Sequence, residues 1–486
     1  MTLKAVPPNT PPREKFPCPT FPTTSPTKPE RHPDILRAFI DTYHLPEPIA
    51  ITILKAVYAA QKTLGPKETQ TIPPSEIFPN YIAVESGGFH VYPPSNSQGG
   101  NGSVFVGSFI ATMRMQMGDD LFSPSKPQNV ARKVSHRPQT TSYSPIKHNV
   151  SQLIATVSPS KKGLIAPIYS ASTDKNGIRH MMMPAYPRSF ANIKWAEVGN
   201  PVHYLLSKVG TVCHALAGLH KLGLVHRDVK EGNVMDDECC KLIDFDTLAH
   251  TFQEVGFTTG TVDHLNPRSF GSPENTLLHQ RERQGRQRRC DDMFALYHMG
   301  LNMTLRLCSE LIPPSDQETH QLIAELMKPK IIKPPQNCPT FSMGELRDIG
   351  IRHPYRAHFY SRNNSRKIPE RIAIFPDVAT YKELLCRITT KLPLSKTEGA
   401  HLLSFSSFCA EQKFKSDAER SKADSAHTEF TVMLDSLKTS YLASSRKRGA
   451  SSELDVEEQK RQRKATSLPY EFDEDTQTVL REIITV

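Results

Sequence analysis

The chain carries nine cysteines but not one C-x-x-C pair, and Cys239 and Cys240 stand side by side. That spacing excludes a zinc knuckle and fits no simple disulfide framework. The thiols are expected to be reduced, as in a cytosol or nucleus. No apolar run is long enough to cross a bilayer. The best, Ile49 to Ala60, is short, carries Lys55, and reads as a helix of a soluble protein. A basic-then-apolar leader is also missing, since the first 33 residues are proline-rich, so no secretory signal is expected. With forty prolines and a hydrophobic fraction of 37%, part of the chain is expected to lie outside any packed core. The net charge of +10 favours acidic partners in general. Basic tails alone can supply so mild an excess, which argues against nucleic-acid binding.

What is present divides into four stretches. Residues 1–33 form a Pro-, Thr- and Lys-rich leader, extended or without fixed structure. Residues 34–80 hold two apolar-periodic segments, Ile35 to Tyr43 and Ile49 to Leu64, broken at Pro46 and Pro48, followed by a linker. Residues 81–409 pass from alternating, strand-like patches, such as Phe89 to Tyr92 and Val104 to Met113, to helical ones at Val202 to Leu222 and Met293 to Leu307. Strands first and helices later make this an α+β protein with two lobes. Residues 410–486 are charged and Ser-rich and are expected to lack structure, except for a short helix near Thr476 to Ile484.

The segment with the most chemical content is Leu224-Val225-His226-Arg227-Asp228-Val229-Lys230-Glu231-Gly232-Asn233-Val234, followed by Lys241-Leu242-Ile243-Asp244-Phe245-Asp246. A carboxylate at Asp228 suits the orientation of an attacking hydroxyl. Asp244 and the amide oxygen of Asn233 are hard donors of the kind Mg²⁺ prefers. The two motifs, H-R-D-x-K-x-x-N and an aspartate on a short apolar strand, resemble the catalytic loop and metal-binding strand of eukaryotic-type protein kinases. The resemblance implies a two-lobed fold, with an antiparallel N-lobe sheet and a helical C-lobe, and ATP and Mg²⁺ as ligands. It also implies transfer of the γ-phosphate to serine or threonine hydroxyls of a protein substrate, autophosphorylation included. Asp228 and Lys230 would be catalytic, Lys230 holding the γ-phosphate, with Asn233 and Asp244 on the metal.

The likeness extends outward. Ser97-Gln98-Gly99-Gly100-Asn101-Gly102-Ser103-Val104 is similar to a glycine-rich phosphate loop, with Ser97 in the place of the first glycine. By the same resemblance Ser97, Gly99, Gly102 and Val104 would line ATP. Val130-Ala131-Arg132-Lys133 resembles the strand whose lysine meets the α- and β-phosphates, and Met181 to Pro184 would lie near the adenine. Downstream, Ser272-Pro273-Glu274 resembles A-P-E, and Lys396 stands where an arginine would pair with Glu274. Asp292-Met293-Phe294 resembles the start of the helix that anchors the catalytic loop. Arg227 implies an activation segment ordered by phosphorylation, with Thr258, Thr259 and Thr261 as candidates.

Two positions depart from that pattern. No aspartate or glutamate occurs between Lys133 and Asp174, and Asn149 stands where a helix glutamate would pair with Lys133. Another acid, such as Glu85 or Asp119, or the nucleotide alone, is expected to hold Lys133. The third residue of D-F-G is Asp246, where the glycine's backbone angles are expected to cost an aspartate something. An active Ser/Thr kinase is the favoured reading, and a pseudokinase scaffold the alternative. Ile243 to Asp246 also resembles the metal strand of small-molecule kinases, against which Lys230 and Ser272 to Glu274 argue; Lys230 also argues against a tyrosine kinase. Two basic clusters, Arg446 to Arg448 and Lys460 to Lys464, resemble a bipartite signal for a nuclear import receptor. By that resemblance the protein is expected in the nucleus or cytoplasm.

Overall fold

The computed structural model describes residues 33–95, 97–98, 102–117, 120–136, 138, 150–151, 153–154, 163–237, 240–250, 289–327, 330–334, 341–352, 356–359, 371–374, 376–414, 428–437 and 439. The chain is a mixed α+β protein. It divides into two compact units, and the division runs through strands: Val130 and Val134 belong to the first, Ala131–Lys133 to the second.

The first unit opens with helices α1 (Pro33–Tyr43) and α2 (Glu47–Gln61). Pro46 precedes α2, and Pro48 lies in its first turn, where a missing N–H costs no hydrogen bond. Strands β1 (Gln70–Ile72), β2 (Tyr81–Glu85), β3 (Gly88–Tyr92), β4 (Ser97–Gln98) and β5 (Gly102–Ala111) follow. They pair antiparallel in the order β1-β2-β3-β5, with β4 folded back on β5. The helix pair does not stand apart from the strands. Ile35, Phe39, Leu54 and Val57 share one core with Ile82, Val84, Phe89, Val91 and Ile110. The Phe39 ring meets Phe78 and Phe89 edge-on at 5.8 and 5.7 Å. The Gln61 amide adds a buried hydrogen bond to the Glu85 carbonyl at 2.9 Å. A short hairpin, β6 (Met115–Met117) with β7 (Asp120–Phe122), leads to β8 (Gln128–Ser135).

After β9 (Ser170–Thr173) and β10 (Arg179–Pro184) the second unit becomes helical. Helix α3 (Pro201–Lys221) buries Val202, Leu205, Leu206, Val209, Val212, Cys213, Leu216 and Leu219, one face at helical spacing. Each leucine of that face contributes about 2 kcal/mol of burial. Helix α4 (Arg289–Leu311) is buried over most of its length, from Met293 and Leu296 to Leu307 and Cys308, and forms the middle of the core. Around it lie α5 (Gln317–Met327), α7 (Val378–Thr389) and α8 (Lys396–Phe414), whose Ile323, Leu385 and Phe405 join that core. Between α5 and α7 sits a small layer of α6 (Met343–Arg352) on a separate three-stranded sheet, with its own cluster of Phe341, Leu346, Ile349, Ile372 and Ile374.

The tail differs from expectation. Residues 428–437 are helical, beyond the 409 boundary read from composition, and Phe430 and Leu434 are buried in the same core as α4 and α8. The Phe430 ring packs on Tyr297 at 5.6 Å. Phe430, Met433, Leu434 and Leu437 recur at helical spacing, a four-residue stripe hidden in a charged stretch. Residues 1–32, the expected helix at 476–484 and the basic clusters at 446–464 lie outside the described residues.

Candidate active site

Short pairings between consecutive loops bring the motif residues of the second unit together. Strand β12 (Leu224–Val225) pairs with β15 (Ala249–His250), and β13 (Val234–Asp236) with β14 (Lys241–Leu242), so residues 226–233 and 243–248 lie between two small ladders. Three further bonds stitch the two loops. The Ile243 amide donates to the Asn233 carbonyl at 2.9 Å, and the Thr247 hydroxyl to the His226 carbonyl at 2.7 Å. His226 Nδ1 lies 3.3 Å from the Asp228 amide and therefore accepts, which leaves Nε2 to donate to the Ile243 carbonyl at 2.9 Å.

Asp292, in the first turn of α4, holds this loop from below. Its two carboxylate oxygens accept the backbone amides of His226 and Arg227 at 2.7 and 2.8 Å, and His220 Nε2 lies 3.0 Å away. Burial pushes the carboxyl's pKa up. The contact with His220 and the hydrogen bond from the Arg227 amide outweigh burial and hold it below the usual aspartate value. The anchoring role expected of Asp292 has a physical purpose, because Arg227 sits at φ 74°, a left-handed angle rare outside glycine. Such a residue costs about 1–2 kcal/mol and persists only where neighbours over-determine it. Here Asp292 holds its amide, and the Thr247 carbonyl accepts from its guanidinium at 3.2 Å.

The residues proposed for chemistry in this loop converge. Asp228 Oδ2 accepts from Lys230 Nζ at 2.7 Å and from Asn233 Nδ2 at 2.9 Å, and the same amide also reaches the Asp228 carbonyl at 2.8 Å. With its NH₂ committed to Asp228, Asn233 presents its carbonyl oxygen as the atom for a cation.

Lys133, on β8, meets the other loop. Its ammonium lies 2.6 Å from Asp244 Oδ1 and 2.8 Å from Asp246 Oδ2. Its side chain is 11% exposed. Burial pulls its pKa down, and the charges of Asp244 and then Asp246 more than restore it, so the lysine stays protonated above its usual range. The partners of Lys133 are thus acids that the sequence did not suggest. Asp246 had gone unnoticed as a partner for Lys133, Asp119 is outside the described residues, and Glu85 accepts from the Ser172 hydroxyl at 3.4 Å. The backbone expectation is corrected too. Asp246 lies in a 3₁₀ turn, Phe245–Thr247, and the left-handed residue is Asp244, at φ 65° and ψ 70°. Aspartate tolerates that region better than most residues, so the D-F-D spelling costs little here.

The glycine-rich segment belongs to the first unit. Ser97 pairs with Val104 and Gln98 with Ser103 across a hairpin, while Gly99 lies outside the described residues. Gly102 has a reason of its own, since a Cβ there would stand 2.6 Å from the Val134 carbonyl. Close strand packing therefore demands the glycine whatever the loop binds. Asn149, Thr258, Thr259, Thr261 and Ser272 to Glu274 lie outside the described residues. Lys396 opens α8, beside a capping box in which the Ser395 amide donates to Glu398 at 3.0 Å. Met182, in β10, is fully buried.

Thr247 was not singled out in the sequence, where nothing marks one threonine from another. Among the described residues no helix is long and apolar enough to cross a membrane, and no group of three His, Cys, Asp or Glu side chains is placed to hold a metal. No protein-family model and no curated protein sequence matches this chain.

Proposed function

We propose that the chain is an ATP- and Mg²⁺-dependent serine/threonine protein kinase, able to phosphorylate itself. The observation that carries the reading is the hydrogen-bonded loop in which Lys230 and Asn233 converge on Asp228, stitched to a strand end whose Asp244 meets Lys133. The donor set suits the ligands. A Mg²⁺ ion that keeps waters and phosphate oxygens needs only one or two protein carboxylates, so Asp244 with the Asn233 carbonyl suffices. Bound Mg-ATP would supply the phosphoryl group and neutralise its developing charge. The protein's own part is positioning. Asp228 orients the substrate hydroxyl and takes its proton, Lys230 sets the carboxylate and offers positive charge beside it, and Lys133 offers its ammonium to phosphate oxygens.

The reading brings with it the two-lobed layout of that superfamily, phosphate contacts from Ser97 to Val104, and a nuclear or cytoplasmic address through residues 446–464. A nucleotide-binding scaffold without efficient transfer is the other reading, and one experiment separates the two. The purified full chain is incubated with Mg-ATP and generic protein substrates, and incorporated phosphate is read by intact mass. Asp228→Asn should lose about 10²–10⁴-fold in rate while retaining its fold by circular dichroism. ATP binding by wild type without incorporation above the Asp228→Asn and Lys133→Met controls would assign the scaffold instead.

A further inference from the structure

Lys133 stands in an acid-poor neighbourhood of the sequence, with no aspartate or glutamate from residue 134 to residue 173. A mostly buried ammonium without a carboxylate is not stable in charged form, and the folded chain provides two carboxylates from the other end of the motif. We infer that Asp246 is the resident counter-ion of Lys133, a positioning residue that holds its ammonium in place and continues to hold it when Asp244 serves a metal ion. The second half of that statement rests on the kinase reading; the first does not.

Three observations carry it. Asp246 Oδ2 is 2.8 Å from the ammonium, nearly as close as Asp244 Oδ1 at 2.6 Å, and its side chain is 21% exposed against 26% for Asp244. The turn that presents both is fixed from inside. Phe245, between them, is buried and packs edge-on against the His226 ring at 5.3 Å and 69°. The backbone at Asp246 is not left-handed, so an aspartate is accommodated where the related pattern has glycine. An ammonium has three N–H donors. Two carboxylates occupy two of them and leave the third direction for a phosphate oxygen. Asp244, the residue with the metal-ligand pattern, is the one a divalent cation recruits, and Asp246 keeps the lysine.

The test is made on the full chain with Asp246→Asn, Asp246→Gly and the charge-keeping Asp246→Glu, alongside Asp244→Asn. Acylation of Lys133 by acetic anhydride in nucleotide-free protein is followed residue by residue by mass spectrometry. Asp246→Asn and Asp246→Gly should unmask Lys133 several-fold, while Asp246→Glu and Asp244→Asn stay near wild type. In the transfer assay Asp246→Asn should raise the KM for ATP, leave the KM for protein substrate in place, and lower kcat/KM for ATP by about 10²-fold. Asp246→Glu should recover most of that loss. If Asp246→Gly keeps both the KM for ATP and the Lys133 reactivity within about twofold of wild type, the inference is overturned. A wild type that transfers no phosphate while Asp246→Asn still unmasks Lys133 removes the kinase reading and leaves the counter-ion assignment standing.

Discussion

The second unit holds two ion clusters built from the same materials in opposite proportion. Around Asp236 one carboxylate serves two cations and a phenol. Arg188 Nε lies 2.8 Å from Oδ2 and Lys208 Nζ 3.1 Å from Oδ1, the Tyr204 hydroxyl also donates to Oδ1, and the Lys208 ammonium reaches the Asp237 carbonyl at 2.7 Å. Around Lys133 one ammonium serves two carboxylates. The first cluster ties β11 (Arg188–Ser189) and α3 to β13, and its carboxylate is saturated with donors. The second sets two carboxylates of one loop end, beside Asn233, on a single ammonium. A saturated carboxylate holds a fold together, whereas one that shares its ammonium with a second carboxylate is suited to a further cation.

Removing a carboxylate from each cluster sharpens the contrast. Asp244→Asn takes away one of two acids. Phosphate transfer should fall by about 10³-fold, while unfolding in urea shifts by no more than about 1 kcal/mol because Asp246 still pairs with Lys133. An equal loss in both measurements would break the comparison. Asp236→Asn removes the sole acid of its cluster and leaves Arg188 and Lys208 facing each other. It should cost about 2–3 kcal/mol in urea unfolding, with the transfer rate per folded molecule unchanged.

The same cluster has a pH signature. Burial raises the Asp236 pKa, but the bonds from Tyr204, Arg188 and Lys208 outweigh it and hold the carboxyl below its usual value. A depressed folded pKa contributes stability that is full above the unfolded carboxylate range and lost as pH falls through it. The stability gap between wild type and Asp236→Asn should therefore be open at pH 7 and close progressively below about pH 4. Tyr204→Phe is the mildest probe. It deletes one donor to Asp236 and should cost about 1 kcal/mol in the same unfolding experiment, leaving both cations in place.

Much of this was legible in the sequence where periodicity is strong. Helices over Val202 to Leu222 and Met293 to Leu307 were expected within a few residues of α3 and α4, because a long apolar stripe at helical spacing has few other ways to be buried. Asp292 was picked out by the resemblance of Asp292-Met293-Phe294 to the start of an anchoring helix, and its carboxylate does hold the loop amides. The helix at 428–437 was missed because its stripe of four apolar residues is shorter than the charged, Ser-rich composition around it. The backbone cost was assigned to Asp246 rather than Asp244 because a motif names residue types and leaves their angles open.

By itself the sequence determined the residue types from His226 to Asn233 and from Ile243 to Asp246, where chemistry needs several groups within a few residues and chain geometry keeps them close. It also determined that no aspartate or glutamate follows Lys133 before Asp174. Only the tertiary structure decided which acids pair with Lys133. Asp244 lies 111 residues away, and an ion pair depends on distance in space, falling away over a few ångströms in a screened medium. No local pattern records that distance; the fold of β8 and the turn around Phe245 sets it.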